Sequence, residues 1–206
     1  EYANNFEINF ISRKKNIEFN GSIYYTNLNN AIIRSNGTFN GIDSIMYDGS
    51  LSKVQTLKNS GKAYVFGFSY MINYKINNNL NLKSSVSFNQ SKDLSTKLPL
   101  RHSSPIFGQT SINFTKRNIK VNYYINYNGK KDISNFSPTE LNKLYLYTKD
   151  GSPAWLTNNI SFIYNINYLA KINFSCENIF DIHYRSYSSG ISAPGRNFNI
   201  GLNMSF

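Results

Sequence analysis

Apolar residues recur at every second position over most of this chain. That period of two commits it to extended strands with one apolar and one polar face. The clearest case is 198–206, where Phe198, Ile200, Leu202, Met204 and Phe206 alternate with Asn199, Gly201, Asn203 and Ser205. Segment 62–75 sets Tyr64, Phe66, Phe68, Tyr70, Ile72 and Tyr74 against Val65, Gly67, Ser69, Met71 and Asn73. Segments 5–12, 17–27, 80–92, 108–116, 119–128, 157–168 and 170–180 repeat the pattern. The result is about nine predicted strands, each near the 9–11 residues a tilted membrane-crossing strand needs. Helical periodicity is nearly absent, and no run of 18 apolar residues offers a transmembrane helix.

The connections sort by parity. Those at 13–16, 76–79, 116–118 and 168–170 are short, and those at 28–61, 93–107, 129–156 and 181–195 are long. A soluble sandwich has no reason to gather its short turns at one end. Bacterial outer-membrane barrels do, with short periplasmic turns, long extracellular loops, apolar residues toward lipid and polar residues toward the lumen. The pattern therefore predicts an all-β fold, a transmembrane antiparallel β-barrel. Phe162, Tyr164, Phe174, Leu202, Met204 and Cys176 are expected on the lipid side, and Tyr64, Tyr74, Tyr127 and Tyr168 in the aromatic girdles. Parity also sends the first and last strands in the same direction. Bacterial barrels have even strand numbers, and an open sheet leaves two unpaired edges in lipid. The expectation is a portion of a larger barrel, with strands missing on the N-terminal side. The lack of a signal peptide fits a fragment or a mature form.

The net charge is +11, from 22 Lys+Arg against 11 Asp+Glu. Charged residues are only 16% of the chain, and the longest basic run is Arg13-Lys14-Lys15, so the excess reflects scarce acids. No nucleic-acid partner is expected; a membrane surface or an acidic sugar layer fits better. Lys130 and Lys131, in a long loop, read as solvated loop residues, with lipopolysaccharide phosphates as the other reading. The single cysteine, Cys176, excludes an intrachain disulfide and a thiolate metal site. Asp132, Glu140, Asp150 and Asp181 lack metal-ligand spacing. Ser103, His102 and Asp150 sit on no nucleophile elbow. Neither catalysis nor a cofactor is expected.

Three segments near the C-terminus carry a family likeness. Glu177-Asn178-Ile179-Phe180-Asp181, then Tyr184-Arg185, then Gly190-Ile191-Ser192-Ala193-Pro194-Gly195-Arg196-Asn197-Phe198 resemble the C-terminal end of TonB-dependent outer-membrane receptors. That family shows an "ENLFD…YR" pattern before its last loop and "PGRNF" at the entry to the terminal strand; Ile179 stands where leucine is commoner. Pro99-Leu100-Arg101-His102, Pro105 and Phe107-Gly108 are similar to Bacteroidetes-type members.

The resemblance implies a barrel of about 22 strands plugged by an N-terminal domain, of which 1–206 would be the C-terminal portion, in the cell outer membrane of a Gram-negative bacterium. It implies as partners outer-membrane lipid, the chain's own plug domain, the TonB complex acting through the missing N-terminal region, and a small-molecule ligand. A ferric siderophore, a cobalamin-like cofactor or an oligomer too large for porins are the ligand classes. Ligand contact is assigned to Arg101, His102, His183, Tyr184 and Arg185 in extracellular loops, and part of an assembly signal to Phe206. Another outer-membrane barrel, a porin or an adhesin, and a soluble all-β binding module remain as alternatives.

Overall fold

The computed structural model describes residues 1–206 apart from Ser60, His102 and Phe206, and apart from the side chains of Ile33 and Arg34. In chain order the strands are β1 (Tyr2–Lys14), β2 (Ile17–Asn29), β3 (Ile32–Asn36), β4 (Ser44–Tyr47), β5 (Ser50–Lys53), β6 (Gln55–Asn59), β7 (Lys62–Lys75) and β8 (Leu80–Asp93). They continue as β9 (Phe107–Lys116), β10 (Ile119–Asn128), β11 (Lys131–Asp132), β12 (Gly151–Ser152), β13 (Trp155–Asn165), β14 (Ala170–Glu177) and β15 (Asn197–Met204), with a helical turn α1 (Pro138–Leu141). Nine of them form one antiparallel sheet in the order β1-β2-β7-β8-β9-β10-β13-β14-β15. Each is joined to the next along the chain, and the sheet is open at β1 and β15.

Register carries the sequence alternation across the whole sheet. One row of directly opposed residues is Ile8, Ile23, Phe68 and Phe88. Another on the same face is Leu80, Phe114, Val121, Phe162, Phe174 and Ile200. The opposite face carries rows such as Asn81, Asn113, Asn122, Ser161, Ser175 and Asn199. A slip of one residue at any interface would put apolar residues in the polar rows, so the pattern itself fixes the pairing. Phe162, Tyr164, Phe174, Leu202 and Met204 all fall on the apolar face. Cys176 does too, opposite Ile160 and Phe198, but its neighbours leave it only 7% exposed.

The chain does not cover this face. Ile8 is 75%, Ile200 82% and Leu202 62% exposed, and the buried apolar residues among those described are only Ala31, Ala63, Val86, Phe136, Cys176 and Tyr187. A soluble sandwich would bury such a surface, since contiguous exposed apolar patches on soluble monomers rarely exceed a few hundred Å². Side chains on it pair across strands: Tyr25 with Tyr64 at 5.9 Å, Phe68 with Phe88 at 5.6 Å and Phe174 with Phe198 at 6.4 Å between ring centroids. Such pairs contribute about 0.5–1.5 kcal/mol each beyond area burial. Gly108 lies opposite Tyr127, whose hydroxyl oxygen is 2.6 Å from where a Cβ on Gly108 would sit, so only glycine lets that ring lie flat there.

Two of the short turns share one chemistry. In 76–80, Asn77 Oδ1 accepts from the Asn79 and Leu80 N–H groups; in 166–170, Asn167 Oδ1 accepts from Leu169 and Ala170. Tyr168, expected at a strand end, lies instead within this second turn and is 93% exposed, because β13 stops at Asn165. β14 likewise ends at Glu177, short of the expected 180. Segments 28–61 and 129–156, read as long connections, contain short strands of their own: β3 pairs with β6, β4 with β5 and β11 with β12.

Candidate functional site: the long-loop end

Three connections, 94–106, 129–154 and 178–196, gather over the end of the sheet opposite the short turns. Their shared core is Phe136, 1% exposed, with Tyr147 edge-on at 4.7 Å and Tyr187 at 5.3 Å. On α1, beside this core, the buried Glu140 carboxylate accepts hydrogen bonds from Tyr147 Oη and from Ser188 Oγ at 2.7 Å. Burial pushes the Glu140 carboxyl up. The two hydrogen bonds and the positive charges of Lys143 and Arg101 outweigh that and hold it below its ordinary range. The Tyr147 hydroxyl is pushed up by burial and by its bond to Glu140, and Tyr187 is pushed up by burial. Lys131 donates to the Ser103 carbonyl and lies 4.5 Å from the centroid of the Tyr187 ring; burial lowers its ammonium to about 8. These contacts tie residues of all three connections together.

The C-terminal motif forms a clasp at the root of the last connection. Asn178 and Asp181 both take positive φ, 50° and 54°. Asn178 Oδ1 accepts from the Ile182 N–H, and its Nδ2 donates to the Ile182 and Pro194 carbonyls. Asp181 Oδ1 accepts from the Arg196 N–H at 2.7 Å, and Arg196 Nε donates to the Ile179 carbonyl at 2.8 Å. A Cβ on Gly195 would stand 2.6 Å from Asp181 Oδ1. Asn178, Asp181, Gly195 and Arg196 thus hold together the two ends of an otherwise long loop.

Arg101 is exposed in 94–106, close enough to Glu140 to lower its carboxyl. His183 is exposed, with Nε2 3.1 Å from Ser192 Oγ. Tyr184 is half-buried, its ring 4.3 Å from that of Trp155. Arg185 is half-buried and donates to the Leu146 carbonyl at 3.1 Å and to Ser192 Oγ at 3.3 Å. His183, Tyr184 and Arg185 share one connection, and Arg101 enters from another. His102 and Phe206 lie outside the described residues. Among the described residues no group of three His, Cys, Asp or Glu side chains is placed to hold a metal ion. Glu140, Tyr147, Ser188 and Lys131 were not legible as a cluster. The one signal was the aromatic density of Phe136, Tyr145, Tyr147 and Trp155 in a polar stretch.

Compared by sequence, the chain matches no family model and no curated protein. Compared by fold, it is similar to the copper transporter OprC, with a TM-score of 0.78 at 13% identity over 99% of this chain and 31% of that one. It is similar to the siderophore receptor PirA from Acinetobacter baumannii, with a TM-score of 0.73 at 16% identity, over 99% of this chain and 32% of that one. The FrpB iron transporter from Neisseria meningitidis (F3-3 variant) gives 0.71 at 16% identity, over 99% and 30%. These neighbours are transporters and receptors, and this chain spans about three tenths of their length. The nine-stranded sheet of this chain thus has the fold of the matching part of these transporters and receptors.

Proposed function

We propose that this chain is the C-terminal barrel portion of an outer-membrane receptor that imports a scarce small molecule in a Gram-negative bacterium. The observation that carries the reading is the mainly apolar face that all nine strands share, uncovered by the chain, with three of its four long connections packed together at one end. Lipid is the medium that removes such a face from water without a second layer of protein. The polar rows then line a lumen whose occupant is the chain's own plug domain, worked by the TonB complex.

The neighbours support a metal-bearing ligand: their names speak of copper, iron, ferric yersiniabactin and a siderophore, and one was solved with enterobactin. A ferric siderophore is accordingly the first ligand class, with a cobalamin-like cofactor second. In this reading Arg101, His102 and His183 meet the ligand from the loops, while Tyr184 and Arg185 chiefly shape the connection that carries His183. The loop cluster has the makings of a binding surface and not of a reaction centre. Uptake of radiolabelled iron by cells carrying the complete gene, across a panel of ferric siderophores and with and without TonB, tests it. TonB-dependent uptake that falls when Arg101 and His183 become alanine supports the reading. TonB-independent passage would favour the porin alternative.

A further inference from the structure

Four Asn-Gly pairs occur in the chain: Asn20-Gly21, Asn36-Gly37, Asn40-Gly41 and Asn128-Gly129. Such a pair carries chemistry of its own. The glycine nitrogen, once deprotonated, is a nucleophile able to close a five-membered ring on the asparagine side-chain carbonyl carbon. Glycine has no Cβ to hinder that approach. Whether the ring closes depends on what the fold does with the glycine N–H and the asparagine amide.

Three of the four pairs are locked. Gly21 lies inside β2, opposed to Phe10 on one side and Tyr70 on the other, so its N–H belongs to a ladder. The Gly37 N–H donates to the Val54 carbonyl at 3.0 Å. The Gly129 N–H donates to the Ile106 carbonyl at 2.6 Å, and the buried Asn128 amide donates to the Gly129 carbonyl at 3.0 Å.

Asn40-Gly41 differs in each respect. It is the two-residue loop between Phe39 and Ile42, whose backbones exchange hydrogen bonds of 2.8 and 3.0 Å. With φ of 50° and 81° it has the backbone of a hairpin turn that leaves the N–H groups of both loop residues unpaired. The Gly41 N–H and the Asn40 amide accordingly have no hydrogen-bond partner among the described residues. Both residues are exposed, and nothing lies within 4 Å of where a Cβ on Gly41 would sit. Phe39 and Ile42 are 59% and 56% exposed, so no packing holds the turn against the opening that ring closure needs.

We propose that Asn40 is a site of spontaneous deamidation, with water as the co-reactant. The Gly41 nitrogen attacks Asn40 Cγ, the Cγ–Nδ2 bond breaks, and Nδ2 leaves as ammonia with the proton that the Gly41 amide lost. Water then opens the cyclic imide. Opening at Cγ gives aspartate; opening at the backbone carbonyl gives isoaspartate, with the chain running through Cγ. Either product adds a negative charge to the tip of segment 30–61. Isoaspartate also lengthens the backbone by a methylene, which the paired Phe39 and Ile42 cannot span unchanged. The inference is independent of what the loops bind.

The test incubates the complete protein, folded in detergent, in heavy-oxygen water at mildly alkaline pH. Peptide mass spectrometry follows oxygen incorporation at each of the four asparagines. In the folded protein Asn40 should convert at least tenfold faster than Asn20, Asn36 or Asn128. In denaturant the four rates should come within about threefold of one another, because the difference is imposed by the fold. Conversion of Asn36 or Asn128 as fast as Asn40 in the folded protein would overturn the proposal, and so would a tenfold lead of Asn40 that persists in denaturant. Gly41→Ala should slow conversion of Asn40 at least fivefold in the denatured chain, where turn geometry plays no part; an unchanged rate would refute attack by the residue 41 nitrogen.

Discussion

Two of the long connections solve the same problem in opposite ways. Segment 30–61 reaches away from the sheet as paired short strands, and its large side chains stay in water: Met46 is 68%, Tyr47 71%, Leu51 71% and Leu57 66% exposed. Segment 129–154 folds back under its neighbours and buries Phe136, Ser137, Glu140 and Ser152 almost completely. The first is held by backbone ladders and tight turns, the second by a side-chain core. Ladders without a covered face give shape with little stability of their own. A cap with a packed aromatic core and a satisfied carboxylate resists local opening. The cap is thus the part of the long-loop end held by its own packed core, and the 30–61 arm lacks such a core.

Removing the aromatic centre should break this contrast most. Phe136→Ala is expected to cost the cap about 3–5 kcal/mol, seen as loss of hydrogen-exchange protection in both 129–154 and 178–196. Leu51→Ala, at the exposed tip of the arm, should change protection anywhere by no more than about 0.5 kcal/mol. Comparable effects from the two would mean the arm is packed too.

Glu140→Gln should cost about 1.5–3 kcal/mol, the worth of buried hydrogen bonds to a charged group. Its signature is protease cleavage appearing in 178–196, through loss of the Ser188 contact, while cleavage in 30–61 stays as before.

At the clasp, Gly195→Ala forces a Cβ toward Asp181 Oδ1 and should cost about 1–3 kcal/mol. The entry to β15 should loosen, measured by exchange at the Arg196 amide that Asp181 accepts.

The smallest effect is that of pH: a rise in pH should stabilise the cap at both of its charged groups, in two separate windows. The Glu140 carboxyl is held below 4.5, so its stabilisation is complete above that value and is lost as pH falls through the folded value. The Lys131 ammonium is lowered from 10.5 to about 8, so the unfolded cap binds more protons between those values and cap stability should rise as pH is raised through that window. Exchange rates corrected for intrinsic pH dependence should show both trends in the cap and neither in the arm.

The sheet was legible because its signal is redundant. Each strand repeats the alternation, each neighbour confirms the register, and the parity of connections orders the whole. The connections were less legible, for physical reasons that differ between the two regions. In the arm the signals were present but short: Asn40-Gly41 and Asp48-Gly49 both take positive φ and close tight turns at Phe39–Ile42 and Tyr47–Ser50, as those dipeptides favour. In the cap no local pattern exists, because Glu140, Tyr147, Ser188 and Lys131 meet only through long-range folding. The motif around Asn178 and Gly195 was readable as a family likeness, and the structure supplies its physical reason, a hydrogen-bonded clasp.

The central claim is that the apolar face meets lipid, and β2 allows the most direct measurement. Single cysteines at positions 19 to 25, in the complete receptor carrying Cys176→Ser, are labelled with a fluorophore and exposed to a quencher attached to lipid acyl chains. Quenching at 19, 21, 23 and 25 and little at 20, 22 and 24 is the expected result, since Phe19, Gly21, Ile23 and Tyr25 share the apolar face. The reversed pattern, or quenching with no period of two, would contradict it.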